Sequence, residues 1–316
     1  MITLNDVKEA AEKVSSYVRR TPLWKSETLS KRLGTNVYLK MELFQKTGSF
    51  KPRGAFNQML AKGKDVLDKG AVAISGGNFA QGAAYASLVL GADIIICMAE
   101  DTPANYVDAT RGYSATIDFS PDIQASFNRY NDLADQGRTA LHPFDNHHQM
   151  SGAGTVALEI FEDLPEITDL VISIGGGGLI SGNTVAIKGL KPQVRVWGVE
   201  TEGAATMKSA MDARKVVNIT PTSLSRTLGA PFVAQDALTI AQEHLEDLLI
   251  VSDNQAIESQ HFILERTKVM PELAASCTLA AVEKIKDRFS PDDHLVLLMC
   301  GGNESVANLV NYTKMT

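Results

Sequence analysis

Short apolar runs alternate with amphipathic stretches along most of this 316-residue chain. Seven of the runs predict strands, at Asn36–Leu43, Ala71–Ser75, Asp93–Met98, Ala115–Phe119, Asp169–Ile174, Val194–Val199 and His294–Met299. Between them, the spacing of apolar residues predicts helices at Pro52–Leu60, Ala80–Leu90 and Ser126–Gln136. Strands that are apolar on both faces and alternate with helices favour an α/β fold with mostly parallel sheets.

Glycine-rich segments follow several of these strands, at the edge where open α/β sheets bind ligands. The stretch SGGNF (residues 75–79) joins a strand to a helix, and the free amides of a helix start suit a carboxylate. Asn78 suits a plain helix cap equally well. The tetraglycine GGGG (residues 175–178) forms a backbone nest for a phosphate. Ile180 stands where a dinucleotide fingerprint needs its last glycine, which favours a phosphate outside a dinucleotide.

A lysine and a cysteine stand at two further strand ends. Lys51 lies in KTGSFKPRGA (residues 46–55), which follows a strand and opens a helix, with Pro52 suited to the first turn. Backbone amides at such a place favour the neutral amine, which makes a lysine a nucleophile and a Schiff-base former. Read alone, the lysine is more often a solvated charge. Cys300, read alone, is more often an ordinary buried thiol.

Taken together, in this order and spacing, these segments resemble the fold-type II pyridoxal-phosphate (PLP) enzymes, and above all the serine/threonine dehydratase and serine racemase group. The resemblance runs from RTPL (residues 20–23) to CGGN (residues 300–303). It implies a two-domain α/β fold related to tryptophan synthase beta, with parallel sheets flanked by helices. Residues 1–46 and 148–316 would form the large PLP-binding domain, and residues 47–147 a small inserted α/β domain.

The resemblance also implies a role for each motif residue. Lys51 would hold the cofactor as a Schiff base and act as the catalytic residue. Asn78 would bind the ring hydroxyl, and Cys300 would face the pyridine nitrogen. The phosphate would lie on Gly175, Gly176, Gly177, Gly178 and Leu179. The substrate carboxylate would lie on Ser75, Gly76, Gly77, Asn78 and Phe79.

A thiol opposite the pyridine nitrogen is a weak donor and leaves that nitrogen largely neutral. This favours prompt loss of a β-leaving group, so the expected reaction is elimination from a β-hydroxy-α-amino acid such as L-threonine or L-serine, giving a 2-oxo acid and ammonia. A racemase is the first alternative, although Gly76 stands where serine racemases have a serine that carries a proton. A non-catalytic PLP-binding regulator is the second alternative, and the intact Lys51 argues against it.

Two departures from the family bear on the substrate. Phe79 replaces a common histidine and Ala153 replaces a frequent glutamine, which predicts a more apolar pocket. A second carboxylate, as in hydroxyaspartate, is less supported because the sequence offers no dedicated arginine. The chain ends soon after Asn303, without room for the regulatory domain of biosynthetic threonine dehydratases, which predicts a catabolic enzyme.

A cation site is also implied by the resemblance. Glu200 and the Ala204 carbonyl match ligand positions, and Thr206 stands where racemases that bind a divalent ion have aspartate. The Leu228 and Ala230 carbonyls match those that complete a potassium site in serine dehydratase. One carboxylate with several carbonyls suits a monovalent ion. A loop without an ion is an equally good interpretation.

Charge and composition narrow the partners. The net charge is −7 and no basic run occurs, which argues against nucleic acid or an anionic membrane as the main partner. The N-terminus does not match a signal peptide, and the most apolar stretch (residues 83–99) contains Gly91 and Asp93 and does not predict a membrane span. Three isolated cysteines favour a reducing compartment, so the expected location is the cytoplasm. The family resemblance also implies that the protein forms a homodimer.

Overall fold

The computed structural model describes residues 1–315. Its strands are β1 (Leu23–Lys25), β2 (Asn36–Lys40), β3 (Ala71–Ile74), β4 (Ile94–Ala99), β5 (Thr116–Ser120), β6 (Thr139–Leu141), β7 (Asp169–Ser173), β8 (Arg195–Thr201), β9 (Asp247–Val251) and β10 (His294–Leu298). Its α-helices are α1 (Leu4–Val14), α2 (Glu27–Leu33), α3 (Lys51–Lys62), α4 (Lys64–Lys69), α5 (Asn78–Leu90), α6 (Ala104–Gly112), α7 (Ile123–Asp135), α8 (His147–Asp163), α9 (Gly178–Leu190), α10 (Thr206–Ala213), α11 (Gln235–His244), α12 (Asp253–Thr267), α13 (Leu273–Lys284) and α14 (Val306–Tyr312).

The strands form two sheets. The large sheet has the order β1-β2-β10-β7-β8-β9, with only β1 antiparallel to its neighbour. The small sheet has the order β5-β4-β3-β6 and is parallel throughout. Strands β3 and β7 are buried at every residue, as their continuous apolar sequences require for strands covered by helices on both faces. The expected α/β fold with mostly parallel sheets is confirmed.

All seven predicted strands are present, with ends that differ by at most three residues from those predicted. Three strands were missed. Strands β1 and β6 have three residues each, too few to show a period, and β9 is a partly exposed edge strand that begins with an aspartate. The small sheet lies wholly within residues 71–141. The domain boundaries at residues 46/47 and 147/148 stay a prediction.

A buried ion cluster fixes helix α3 to the large sheet. Arg53 is 1% exposed and donates to both oxygens of Glu42 at 2.8 Å, and it also contacts Glu159 at 2.7 Å. Lys40 of β2 forms an ion pair with the same Glu159. Burial of charges is costly unless they are paired, and here each charge has an opposite partner within hydrogen-bond distance. The cluster therefore holds the start of α3 in one place.

Helices α3, α8 and α9 approach one another at glycines. A Cβ on Gly152 of α8 would lie 2.6 Å from the carbonyl oxygen of Arg53, and a Cβ on Gly182 of α9 would collide with the carbonyl oxygen of Met150. Only residues without a side chain allow these backbones to touch. No helix within residues 1–315 is both long enough and apolar enough to cross a membrane.

Candidate active site

A cavity of about 410 Å³ lies between the two sheets, beyond the carboxyl ends of β3, β7 and β10. We call its enclosed part, formed by Lys51, Cys300 and the glycine turn 175–178, the floor. We call its solvent-facing part, formed by Asp101, Ile123, Phe127 and Arg226, the mouth. The position is the one that open α/β sheets use for ligands, at the ends of their parallel strands.

Lys51 is the first residue of α3, and its side chain projects into the floor. The amine donates to the carbonyl oxygen of Pro143 at 2.7 Å and lies 5.0 Å and 5.6 Å from the ring centres of Phe50 and Phe79. Burial lowers the pKa of Lys51 to about 8, against smaller opposing effects of Cys300 and other acidic groups. A substantial fraction of this amine is therefore neutral near neutral pH, as a nucleophile or a base must be.

The glycine turn at residues 175–178 presents only backbone atoms to the cavity, because its residues have no side chains. A Cβ on Gly176 would overlap the ring of Phe144, and Gly177 has φ +95° with Ala237 directly against it. The turn leads into α9, where Ser181 donates to the carbonyl oxygen of Gly177. The amides that precede Ser181 have no carbonyl one turn earlier, and with the positive end of the helix dipole they form a cradle for a phosphate.

The second turn, at residues 75–79, joins β3 to α5. The amide of Gly77 donates to Ser75 Oγ at 3.1 Å, which tightens the turn. A Cβ on Gly76 would lie only 2.8 Å from Thr102 Oγ1, so a threonine hydroxyl occupies the space beside this glycine. Asn78 begins α5 and is buried. Asn78 does not cap the helix, because the cap position is Gly77 and no side chain forms a cap hydrogen bond there.

Glu272 is the residue that holds Asn78 in place. Its two oxygens accept from Asn78 Nδ2 at 2.8 and 3.0 Å, and they also accept from the amide of Asn303 and from Thr227 Oγ1, both at 2.9 Å. Burial raises the pKa of Glu272, against the effect of these donors. Asn78 belongs to the small-sheet side and Glu272 to the large-sheet side, so this cluster ties the two walls of the cavity together.

Cys300 closes the floor below the glycine turn. Its Sγ lies 3.5 Å from Ser173 Oγ, and burial raises the pKa of the thiol to about 12. The thiol is therefore neutral at physiological pH and can act only as a weak donor.

The donor set of the floor fits pyridoxal phosphate. A buried lysine of lowered pKa suits its aldehyde, the glycine turn suits its phosphate, and the neutral thiol suits a ring nitrogen. A family model described as pyridoxal-phosphate dependent enzyme matches residues 14–301. The chain belongs to this family of pyridoxal-phosphate dependent enzymes. Within the family it has the expected two-domain fold of the fold-type II members, which confirms the resemblance seen in the sequence.

Several members of this PLP family are similar over almost the whole chain. An L-threonine ammonia-lyase of Thermotoga maritima is 34% identical over 97% of this chain and 77% of that protein. An L-threo-3-hydroxyaspartate ammonia-lyase of Pseudomonas sp is 33% identical over 98% of both chains. A serine racemase of Dictyostelium discoideum is 30% identical over 98% of this chain and 97% of that one.

Solved structures of this family give the same result. The structure of maize serine racemase has a TM-score of 0.92 at 28% identity, covering 99% of this chain and 97% of that one. The structure of the processed form of threonine deaminase isoform 2 from Solanum lycopersicum has a TM-score of 0.93 at 26% identity, covering 99% and 87%. The fold is therefore shared by members that catalyse different reactions, and the local residues must decide between them.

Most residues that the sequence singled out come together in the PLP-enzyme cavity. Lys51, Ser75–Phe79, Gly175–Leu179 and Cys300 all line it. The expectation for Ala153 was wrong, because this residue is fully buried, its carbonyl accepts from Asn183 of α9, and it does not line the cavity.

Three lining residues with ionisable side chains were missed by the sequence reasoning, namely Asp101, Tyr106 and Arg226. Arg226 directly precedes the TLGA segment (residues 227–230) that the sequence had marked, so the signal that could have found it was one residue away. Tyr106 lies in the same wall as Asp101, and burial raises the pKa of its phenol well above the ordinary value.

The residues expected to bind a cation are also near one another. Leu228 and Ala230 line the cavity, whereas Glu200 and Ala204 are buried behind it. Glu200 accepts from the amides of Met207 and Lys208 at 2.7 and 2.9 Å, and burial raises its pKa to about 7. Thr206 Oγ1 donates to the Ala230 carbonyl at 2.8 Å. Within residues 1–315, no group of three or more His, Cys, Asp or Glu side chains could hold a metal ion.

Proposed function

We propose that this protein is a PLP-dependent ammonia-lyase that eliminates water from a β-hydroxy-α-amino acid such as L-threonine or L-serine; water then adds back as ammonia is released, so the net products are a 2-oxo acid and ammonia. The observation that carries the proposal is the floor, where a buried lysine of lowered pKa faces a glycine cradle and a neutral thiol. The ammonia-lyases among the relatives, at 34% and 33% identity, support the same reaction class.

When bound, pyridoxal phosphate supplies an electron sink that makes the α-hydrogen of an amino acid acidic. The floor residues would hold the group: Lys51 at its aldehyde, Asn78 at its ring hydroxyl, Cys300 at its ring nitrogen and the amides of residues 175–179 at its phosphate. Free amides at the start of α5 would bind the substrate carboxylate, since they lie at the positive end of a helix.

Lys51 would then move the proton. Its amine is neutral above a pH of about 8 and in part below it, and it is confined by the Phe50 and Phe79 rings and the Pro143 carbonyl. A neutral amine held in this position accepts the α-proton of the substrate. The thiol of Cys300 does not ionise below a pH of about 12 and donates weakly, so it leaves the ring nitrogen largely neutral. Prompt loss of the β-hydroxyl follows from this weaker sink.

The test is release of 2-oxo acid by the purified protein loaded with pyridoxal phosphate. The panel contains serine, threonine, phenylserine and hydroxyaspartate in both configurations, and ammonia is measured in parallel. We expect equal amounts of ammonia and 2-oxo acid from at least one L-substrate. Absence of both products, with the visible absorbance of the bound cofactor intact, would refute the lyase and favour a non-catalytic PLP-binding regulator.

A racemase is the second candidate, and one observation favours it. Thr102 Oγ1 fills the space beside Gly76, so a hydroxyl is present at the place where a side chain on residue 76 would project. We expect elimination to exceed racemisation, because this hydroxyl belongs to the loop after the neighbouring strand β4 rather than to the turn itself. Chiral analysis of recovered serine decides between the two, and Thr102→Val tests the hydroxyl: a racemisation rate that equals elimination in the parent and vanishes in this variant would make the protein a racemase.

A monovalent cation, K⁺, is a further part of the proposal. Glu200, Ala204, Leu228 and Ala230 would bind it behind the cavity wall, and the proximity of Glu200 to Thr206, and of Thr206 to Ala230, supports a shared site. We expect activity in K⁺ to exceed that in a tetraalkylammonium salt of equal ionic strength several-fold. Equal activity in both would remove the cation from the proposal.

We also propose a cytoplasmic homodimer. The support is the family resemblance, together with three cysteines that are all unpaired and buried, as a reducing compartment allows. Sedimentation equilibrium of the purified protein gives the mass in solution. A mass close to 34.1 kDa would mean a monomer and would contradict the dimer.

A further inference from the structure

The mouth of the cavity carries an arginine that the elimination reaction does not need. Among the cavity-lining residues described, Lys51 and Arg226 are the two with cationic side chains. Lys51 belongs to the floor, whereas Arg226 lies in the connection between α10 and α11 and is 56% exposed. Neither L-threonine nor L-serine has a side chain that needs a guanidinium, so this residue calls for another ligand.

The partner of Arg226 is a residue of the opposite wall. Asp101 follows β4 of the small sheet, and its Oδ2 lies 2.8 Å from Arg226 Nη2. Its carbonyl oxygen accepts from Arg226 Nη1 at 3.2 Å. The Asp101 side chain is 72% exposed, so water screens the pair and solvates the carboxylate when it leaves. A stronger carboxylate ligand can therefore take its place at little cost.

The rest of the mouth is apolar. Ile123, Phe127 and Pro221 line the same part of the cavity and offer no charged group. A guanidinium binds a carboxylate through two parallel N–H donors. If the α-carboxylate lies on the turn at residues 75–79 and the α-carbon faces Lys51, the far end of the substrate points away from the floor, towards the side where Arg226 stands.

We infer that Arg226 is a specificity-determining residue that exchanges Asp101 for the side-chain carboxylate of the substrate, so that the preferred substrate is a β-hydroxy dicarboxylic amino acid of the 3-hydroxyaspartate type. This inference rests on the proposed function. The overall reaction needs no oxidant: one 3-hydroxyaspartate gives one four-carbon 2-oxo dicarboxylic acid and one ammonia. It differs from the expectation from sequence, which named no dedicated arginine for a second carboxylate.

The kinetic test compares two substrates. In Arg226→Gln, we expect the ratio of kcat/KM for L-threo-3-hydroxyaspartate to that for L-threonine to fall at least about 20-fold, because a site built to bind a charged group discriminates strongly once the group is removed. The matched control is Arg129→Gln, which breaks an exposed Arg–Asp pair with the same 2.8 Å distance, to Asp118, away from the cavity. That variant should leave the ratio at the parent value.

A substitution of the partner residue gives a second, opposite prediction. Asp101→Asn removes the competing carboxylate, so the KM for hydroxyaspartate should fall about two- to fivefold relative to that for threonine. An unchanged ratio in Arg226→Gln would overturn the inference. So would a parent enzyme that releases 2-oxo acid from threonine and none from hydroxyaspartate.

A binding measurement separates this inference from the proposed function. Malonate, a dicarboxylate that cannot react, is titrated into the PLP-loaded protein, and the dissociation constant is read by calorimetry. We expect at least about tenfold weaker binding to Arg226→Gln than to the parent and the Arg129→Gln control. If no amino acid is turned over but malonate binding still depends on Arg226, the lyase fails and the dicarboxylate site stands. If malonate binds all three proteins equally, the dicarboxylate site fails whatever the enzyme turns over.

Discussion

At the floor of the cavity, Gly176 lies so close to the Phe144 ring that no side chain fits, whereas at the mouth Arg226 and Asp101 are more than half exposed. The floor is fixed by backbone, by buried rings and by the ion cluster below α3. The mouth is held by one solvent-screened ion pair between two walls. From this difference we expect the floor to hold the cofactor and the mouth to select the substrate.

The largest expected effect tests whether the floor alone carries the chemistry. Lys51→Ala should lower kcat for every substrate by at least about a thousandfold, because it removes both the cofactor bond and the base. Lys62→Ala, at the exposed end of the same helix, is the control. Release of 2-oxo acid measures both, and mass spectrometry after borohydride reduction should find pyridoxal on Lys51 in the parent. Activity within tenfold of the parent would show that another group acts as the base.

A second change breaks the floor without touching a reactive group. Gly176→Ala places a Cβ inside the Phe144 ring, so the turn must open and the phosphate cradle is lost. We expect the dissociation constant for pyridoxal phosphate to rise about a hundredfold, the loss of several amide hydrogen bonds to an anion. Fluorescence titration measures it, and circular dichroism reports the fold. Gly112→Ala is the control, since a Cβ there meets nothing within 4 Å. Equal cofactor affinity in both variants would contradict the assigned cradle.

A third change tests the link between the two parts. Glu272→Gln leaves the volume unchanged but presents one amide to Asn78, which loses an acceptor. We expect kcat/KM to fall about tenfold for all substrates, with a shifted absorbance maximum of the bound cofactor. Glu304→Gln, which changes a partly buried glutamate that accepts from Asn308, is the control. A fall confined to one substrate would instead place Glu272 with the mouth.

The smallest expected effect concerns pH. The lowered pKa of Lys51, about 8, makes the amine neutral as pH rises through that value. The rate at which the cofactor-free protein takes up pyridoxal phosphate should therefore rise about fivefold from pH 7 to 8 and less than twofold above pH 8. Stopped-flow absorbance measures this rate. A rate that keeps rising tenfold per pH unit to pH 10 would indicate a lysine with an ordinary pKa.

The sequence predicted the floor far better than the mouth. Lys51 and the tetraglycine lie in contiguous segments whose order and spacing carry the family resemblance, so a single chain reveals them. Glu272 acts through Asn78, which is 194 residues earlier in the chain, and a pairing at that range leaves no local pattern. Arg226 lies in a connection without periodic spacing, and its signal in the sequence was the adjacent TLGA segment (residues 227–230).

The same reasoning explains the errors in the fold. The strands that were missed are short or lie at an edge, where burial no longer imposes a continuous apolar run. Ala153 was assigned to the pocket from the family resemblance, but the structure buries it in the close contact of α8 with α9, which the sequence does not give.

The glycine contacts between α3, α8 and α9 also set how this protein can diverge. Any side chain at Gly152 would push α8 away from α3, which carries Lys51, and any side chain at Gly182 would push α9, which follows the proposed phosphate cradle, away from α8. Substitutions at these two positions are expected to be rare, because the atoms in contact belong to the backbone of the next helix and no substitution there can make room. Exposed residues such as Arg226 can change one at a time with little loss of stability. Descendants of this chain are thus expected to acquire new substrate specificities while they keep the same cofactor.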